Sequence, residues 1–404
     1  MTSSPITAAD VRTAHALLAP VVRRTPLEPC RVLSDRSGGE VQLKCENLQR
    51  AGSFKIRGAY TRMVRLSPEE RAAGVVAASA GNHAQGVALA ARILGLKARV
   101  FMPAGAPLPK VDATRGYDAE VSFAGHTVHD ALAAAQEFAR LEGAVLIHPF
   151  DHVDVVAGQG SVGLEIVQQC PRVRTVLVPT GGGGLVSGVA AALADGDPQV
   201  EVIGVQADGA AAYPPSLAAG VPTTLTRMAT MADGIAVGRP GDVPFAVIQA
   251  LGLNVLTVSE ESISQALLLL LERAKLVVEP AGAVAVAALL DERYAFTPPV
   301  VAVLSGGNID PLLLMRLIGH GMAAAGRYLQ LRLHLPDRPG ALAALLAVLG
   351  EAEANVLEVQ HVRTAPDTPV DRVEVVLRLE TQGPEHRRLL LLALGSAGYT
   401  VLPG

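Results

Sequence analysis

The residue that most invites a chemical reading is Lys55, in "AGSFKIRGAY" at residues 51–60. It follows Ser53 and Phe54, precedes Ile56, and has glycines near it at positions 52 and 58. Burial disfavours a charged amine and lowers its pKa, which leaves a free amine able to act as nucleophile and base. The plainer reading of such a lysine is a solvated surface charge, and the rest of the chain has to decide between the two.

Three further stretches carry candidates. In "PTGGGGLVSGVAAALA" (179–194) a strand-like run, four glycines and a helical run follow one another. That order places free backbone N–H groups at a helix start, where an anion such as a phosphate is held. No Gly-Lys-Ser/Thr ending follows, so this is not a Walker A loop. Gly182, Gly184 and Ser187 also approximate a dinucleotide fingerprint, with Asp208 after the next strand in the ribose-binding role. A tight turn needing glycine backbone geometry is the remaining reading.

In "VVAASAGNHAQGVALAA" (75–91) a strand ends at Ser79 and a helix begins near Asn82 and His83, a junction suited to a second anion such as a substrate carboxylate. A lone histidine at a helix start is more often a cap than a catalyst. In "VVAVLSGGNID" (300–310) Ser305 ends another strand and would aim its hydroxyl at the same crevice, although an ordinary turn accounts for it as well. A phosphate site, a carboxylate site and a buried lysine together suggest pyridoxal phosphate, which needs a lysine for its aldehyde and a cup for its phosphate.

These residues need a scaffold that gathers strand ends. Short β-branched runs, "GVVAAS" (74–79), "KARVFMP" (97–103), "AVLIHP" (144–149), "RTVLVPT" (174–180), "EVIGVQA" (201–207) and "VVAVLS" (300–305), alternate with Ala/Leu-rich helical runs. Continuous apolar strands between amphipathic helices predict parallel sheets covered on both faces, with sites at the carboxyl ends of the strands. After residue 326 the pattern changes. "YLQLRLHLP" (328–336) alternates with period two, "DRPG" turns, and a helical run follows. Two more alternating runs, a helix and the short "YTVL" then complete a predicted βαββαβ, ferredoxin-like module. The stretch "IGHGMAAAGR" (318–327) is expected to link the two parts.

Composition narrows the classes. The chain is 50% hydrophobic and 18% charged, with 34 basic against 38 acidic residues, so it carries no footprint for nucleic acid or an anionic membrane. The longest aliphatic run, Leu267–Leu271, is far too short to span a bilayer. No secretory signal is visible at the N-terminus. Three scattered cysteines, Cys30, Cys45 and Cys170, fit a reducing compartment, so a cytoplasmic location is expected.

The motifs "SFKIRGA", "SAGNHAQGVA", "PTGGGGL", "VEPAGA" and "LSGGN", in this order, resemble those of the threonine/serine dehydratases. These belong to the fold type II group of pyridoxal-phosphate enzymes. The resemblance spans roughly residues 10–320, and "LPDRPGAL" resembles the opening of an ACT domain. It implies an α/β catalytic domain of two parallel-sheet subdomains over 1–325 and a single ACT-like regulatory domain over 326–404. It also implies that Lys55 forms the Schiff base with pyridoxal 5'-phosphate. Phe54 would lie against the pyridine ring, Asn82 would meet its 3-hydroxyl, and Ser305 would face its nitrogen. Gly181, Gly182, Gly183, Gly184 and Leu185 would hold the phosphate. Ser79, Gly81, Asn82 and His83 would bind the substrate carboxylate. Glu279, in "VEPAGA", is assigned no catalytic role.

The implied activity is elimination of water from L-threonine, and from L-serine, to a 2-oxo acid and ammonia. Isoleucine or valine would be the effector at the ACT domain, and the chain would form a homodimer or homotetramer. Serine racemases resemble the same pattern but carry a second serine where this chain has Ala80. They also carry a cation on an acidic loop where this chain has Gln206 and Ala212 beside Asp208, so no metal is expected. A nucleotide-dependent dehydrogenase explains the glycine loop alone and leaves Lys55, Asn82 and Ser305 without a task.

Overall fold

The computed structural model describes residues 4–195, 200–324, 326–363 and 369–402. The strands, in chain order, are β1 (Leu27–Pro29), β2 (Val41–Lys44), β3 (Val75–Ala78), β4 (Ala98–Met102), β5 (Glu120–Phe123), β6 (Val145–Leu146), β7 (Thr175–Pro179), β8 (Glu201–Ala207), β9 (Asn254–Val258), β10 (Val300–Val303), β11 (Tyr328–Pro336), β12 (Asn355–Val362) and β13 (Arg372–Glu380). The chain divides into two compact units, Met1–Asp310 and Pro311–Gly404.

The first unit holds two sheets. One has six strands in the order β1-β2-β10-β7-β8-β9, and the other has four in the order β5-β4-β3-β6. All pairings are parallel except β1 with β2. Every residue of β3, β7 and β10 is buried, as the unbroken apolar runs predict for strands covered on both faces. The helix Pro280–Leu290 is buried from Pro280 to Leu289, which matches its all-apolar sequence "PAGAVAVAAL". Helix starts follow the local chemistry. Thr127 and Asp130 cap the helix Val128–Glu142 reciprocally, satisfying backbone donors that the first turn leaves free.

In the second unit β11, β13 and β12 form an antiparallel sheet in that order, with the helices Ala341–Glu351 and Pro384–Ser396 in the connections. The expected last strand is reduced to a single bridge between Val401 and Leu333 on the free side of β11. The alternating leucines and valines of β11 and β13 point into one apolar core against Leu345, Leu349, Leu390 and Leu394. The stretch 318–327 is not a linker up to Ala324, because it continues the helix Pro311–Ala324. The Ala, Met and Leu residues of that helix are good helix formers, and Gly319 and Gly321 do not interrupt it.

The long aliphatic run Leu267–Leu271 closes one helix and enters a π-helical turn, Leu270–Ala274. Among the described residues no helix is long and apolar enough to cross a membrane. The three cysteines are free and buried. Burial pushes the Cys45 thiol up to about 12, which makes it inert.

Candidate active site

Lys55 is the first residue of the helix Lys55–Val64. The turn before it is tied to the loop after β10. Ser53 forms an isolated bridge with Gly306, and the Phe54 N–H donates to Ser305 O at 3.2 Å. Residues far apart in sequence therefore open into one pocket of about 590 Å³. Phe54, Lys55, Ser79, Gly81, Asn82, His83, Gly181 to Leu185 and Ser305 all line it. The structure thus brings together the residues that the resemblance implies for the site, while Ser187 and Asp208 are not among its lining.

The Lys55 ammonium donates to Pro149 O at 3.0 Å and lies 5.1 Å from the centre of the Phe54 ring. Burial lowers its pKa to about 8, against the opposing pull of the Glu279 carboxylate. In the ligand-free chain, Lys55 is expected to react with cyanate with a midpoint near pH 8, against about 10.4 for ordinary lysines. Peptide mapping of carbamylation against pH checks this. A midpoint near the ordinary value would mean that the pocket does not desolvate the amine.

The glycine loop leads from β7 into the helix Gly184–Leu193. Gly183 has φ +98°, and no side chain caps the first turn. A Cβ at Gly183 would stand 1.9 Å from the Tyr213 hydroxyl, and one at Gly182 would stand 2.4 Å from the Phe150 ring. The Tyr213 hydroxyl donates to Gly182 O at 3.1 Å, and the Gly241 N–H donates to the same oxygen at 3.0 Å. The loop is held from behind through its carbonyls, which leaves the first-turn N–H groups and the positive end of the helix dipole for an anion.

The second helix start is less open than the sequence suggests. Ser79 Oγ accepts from the Gly81 N–H at 3.1 Å, so that donor is already shared. His83 is buried, with Nε2 2.7 Å from Ile147 O, and burial together with the Lys55 charge pushes its pKa down to about 3. The ring is therefore neutral and tied to the backbone, and what His83 offers the pocket is its N–H at the start of the helix Asn82–Leu94.

Sequence reasoning missed a chain of side chains around Asn82. Its Nδ2 donates to Glu279 Oε1, and its Oδ1 accepts from Asn308 Nδ2 at 2.8 Å. The Asn308 amide also donates to Ala51 O at 2.8 Å. Asn82 is thereby fixed in one orientation. Burial, and next the charge of Asp233, push Glu279 up to about 7. At the rim Lys110 and Asp233 pair at 2.9 Å. The "VEPAGA" and "LSGGN" motifs marked Glu279 and Asn308, but nothing in the sequence indicated that they meet at Asn82.

The family description "Pyridoxal-phosphate dependent enzyme" matches residues 18–306. The chain belongs to the pyridoxal-phosphate dependent enzyme family. An ACT domain matches residues 329–391. The L-threonine ammonia-lyase of Thermotoga maritima is 46% identical over 396 residues, 98% of this chain and 99% of that one. Among solved structures, the processed form of threonine deaminase isoform 2 from Solanum lycopersicum is 38% identical with TM-score 0.74, covering 78% of this chain and 90% of that one. Maize serine racemase is 34% identical with TM-score 0.74, covering 79% and 98%.

The pocket fits the pyridoxal-phosphate group on its own evidence. A cradle that a single Cβ would fill faces an uncapped helix start, and a lysine with a lowered pKa lies in the same pocket. Among the described residues no three His, Cys, Asp or Glu side chains gather to hold a metal ion. Gln206 is buried, and its Oε1 accepts from the Tyr213 N–H at 2.9 Å, which places it in the service of the glycine cradle.

Proposed function

We propose that the chain is a threonine ammonia-lyase, which eliminates water from L-threonine and releases 2-oxobutyrate and ammonia, with L-serine as a second substrate. The observation that carries this reading is the desolvated Lys55 amine in one pocket with the glycine cradle and Ser305. The near full-length similarity to a protein named L-threonine ammonia-lyase supports it.

Pyridoxal phosphate, when bound, supplies an aldehyde for the substrate amine and a ring that spreads negative charge from Cα. Lys55 would hold the group through its amine, and its free ε-amine would be the base that takes the substrate Cα proton. The first turn of the helix Gly184–Leu193, with Gly181 to Leu185, anchors the phosphate. Ser79, Gly81 and the N–H groups of Asn82 and His83 receive the substrate carboxylate. Phe54 would flank the ring, and Asn82, fixed by Glu279 and Asn308, would meet its 3-hydroxyl. Ser305 would give the ring nitrogen a neutral partner. Its hydroxyl would not hold that nitrogen protonated as a carboxylate would, so the group would supply a weaker electron sink, suited to prompt loss of the β-hydroxyl.

Ala80 lines the pocket and has no hydroxyl to return a proton to the opposite face. Elimination is therefore favoured over racemisation. Residues 1–325 form the catalytic domain. Residues 326–404 form a regulatory domain that takes isoleucine or valine, in a cytoplasmic homodimer or homotetramer.

The test is 2-oxobutyrate release by the purified full chain from L-threonine, with and without isoleucine. Turnover that isoleucine suppresses is the expected result. Turnover indifferent to both isoleucine and valine would remove the effector assignment and keep the lyase. No oxo acid from threonine or serine would overturn the reaction.

A further inference from the structure

Gln159 lies on the helix Val153–Gln169, is 1% exposed and lines the main pocket. Its Oε1 is buried and has no hydrogen-bond partner among the described residues. A buried amide oxygen without a donor destabilises a fold, so one is retained where something else fills it. The place of this amide is set by a glycine. A Cβ at Gly58 would lie 2.5 Å from Gln159 Nε2 and 2.8 Å from Val155 O, so the carboxamide packs directly on the backbone at Gly58. Gly58 is three residues after Lys55 on the same helix, and positions three apart share one face. The orphaned carboxamide therefore lies along the helix face that carries the Lys55 side chain.

We propose that Gln159 is a positioning residue for Lys55, its carboxamide oxygen accepting a hydrogen bond from the ε-amine after substrate has displaced that amine. This rests on the reading of Lys55 as the base of the elimination. When the Cα–H bond breaks and its proton forms a new N–H bond on Lys55, the resulting ammonium has three donors. Pro149 O, already 3.0 Å from Nζ, takes one and Gln159 Oε1 takes the second. The third stays directed at the substrate. Without Gln159 the displaced amine keeps a single anchor and swings away from Cα.

Two substitutions in the full-length, cofactor-loaded protein test this. Gln159→Met removes the amide at similar size. It is expected to leave the thermal midpoint unchanged or raised, because an unsatisfied buried polar group is lost. It should lower kcat for L-threonine roughly tenfold or more at little change in KM. Gln159→Glu places a carboxylate beside the amine. In the cofactor-free full chain it should raise the midpoint of Lys55 carbamylation by about one pH unit or more, because a close negative charge favours the ammonium.

A kcat for Gln159→Met within about twofold of the parent, or an unmoved Lys55 midpoint in Gln159→Glu, overturns the proposal. So does a fall in kcat accompanied by an equal loss of folded protein, since that is what a purely structural residue gives. If the parent protein forms no oxo acid from threonine, the lyase reading fails by itself. The carbamylation midpoint still decides whether Gln159 faces Lys55.

Discussion

Lys55→Ala is expected to lower turnover of L-threonine by about 10⁴-fold or more, as removal of a group that acts as both nucleophile and base does. The visible absorbance of lysine-bound cofactor should disappear in the same variant. The thermal midpoint of the ligand-free protein should hold or rise, because the substitution removes a buried amine that burial has already driven toward its neutral form. The three readouts separate the explanations. Lost turnover with retained lysine-bound absorbance would place the Schiff base on another lysine. Lost turnover with a much lower midpoint would mean that Lys55 holds up the fold. Normal turnover would end the mechanism. The other lysines give little competition: Lys44 is bonded into a buried charge cluster, and Lys110 pairs with Asp233 at the pocket rim.

The parallel sheets were readable because burial on both faces leaves an unbroken apolar run, as in "TVLVP" and "VVAV", which become β7 and β10. The edge strands β1, β5 and β9 were not. The three residues of β1 are half-buried or exposed and join antiparallel to β2, so neither alternation nor an apolar run marks them. The stretch expected to link the two parts is helical up to Ala324, because a helix with enough neighbouring helix formers tolerates glycines such as Gly319 and Gly321. At the site, Lys55, the glycine loop and Ser305 were legible because each sits at a strand end or helix start with a recognisable local sequence. Asn308 on Asn82, Pro149 beneath Lys55 and the orphaned Gln159 were not, because each depends on a contact between distant segments. His83 shows the limit from the other side. Its position was foreseen, but its ring is turned to Ile147 O, which only the fold could reveal.

Arg57, two residues after Lys55, is expected to be among the costliest positions in the chain to change. Its guanidinium is 0% exposed. Nε and Nη2 reach Glu46 at 2.8 and 2.7 Å, and Nη1 reaches Glu165 at 2.6 Å and Ser161 Oγ at 3.0 Å. Burial opposes its charge, and the Glu46 and Glu165 carboxylates more than offset that, so its pKa is raised. Lys44 completes the cluster. Burial pulls its pKa down, but its ammonium has acceptors at Glu165, Gln169 and Thr25 within 2.9 Å, one for each proton of the charged form. Two cations thus face two anions with every donor placed.

Removing one member strands a buried charge. Arg57→Met is therefore expected to cost about 3–5 kcal/mol of stability. The paired change Arg57→Met with Glu46→Gln should cost less than the sum of the two single changes, by about 0.5–3 kcal/mol, because the second removes a charge the first left unpaired. Acid should act through the same cluster. Burial works to raise the Glu165 carboxyl, and Arg57 and Lys44 overcome this and hold it below its ordinary value of 4.5. A depressed carboxylate stabilises the folded state above its unfolded pKa, and that contribution is lost as pH falls through the folded one. Below about pH 4.5 the parent should therefore lose stability more steeply than Glu165→Gln, which has no proton to take up there. Denaturation of each variant across that range measures both effects. An Arg57→Met cost under about 1 kcal/mol would mean that water reaches the cluster and screens it, as it does surface pairs.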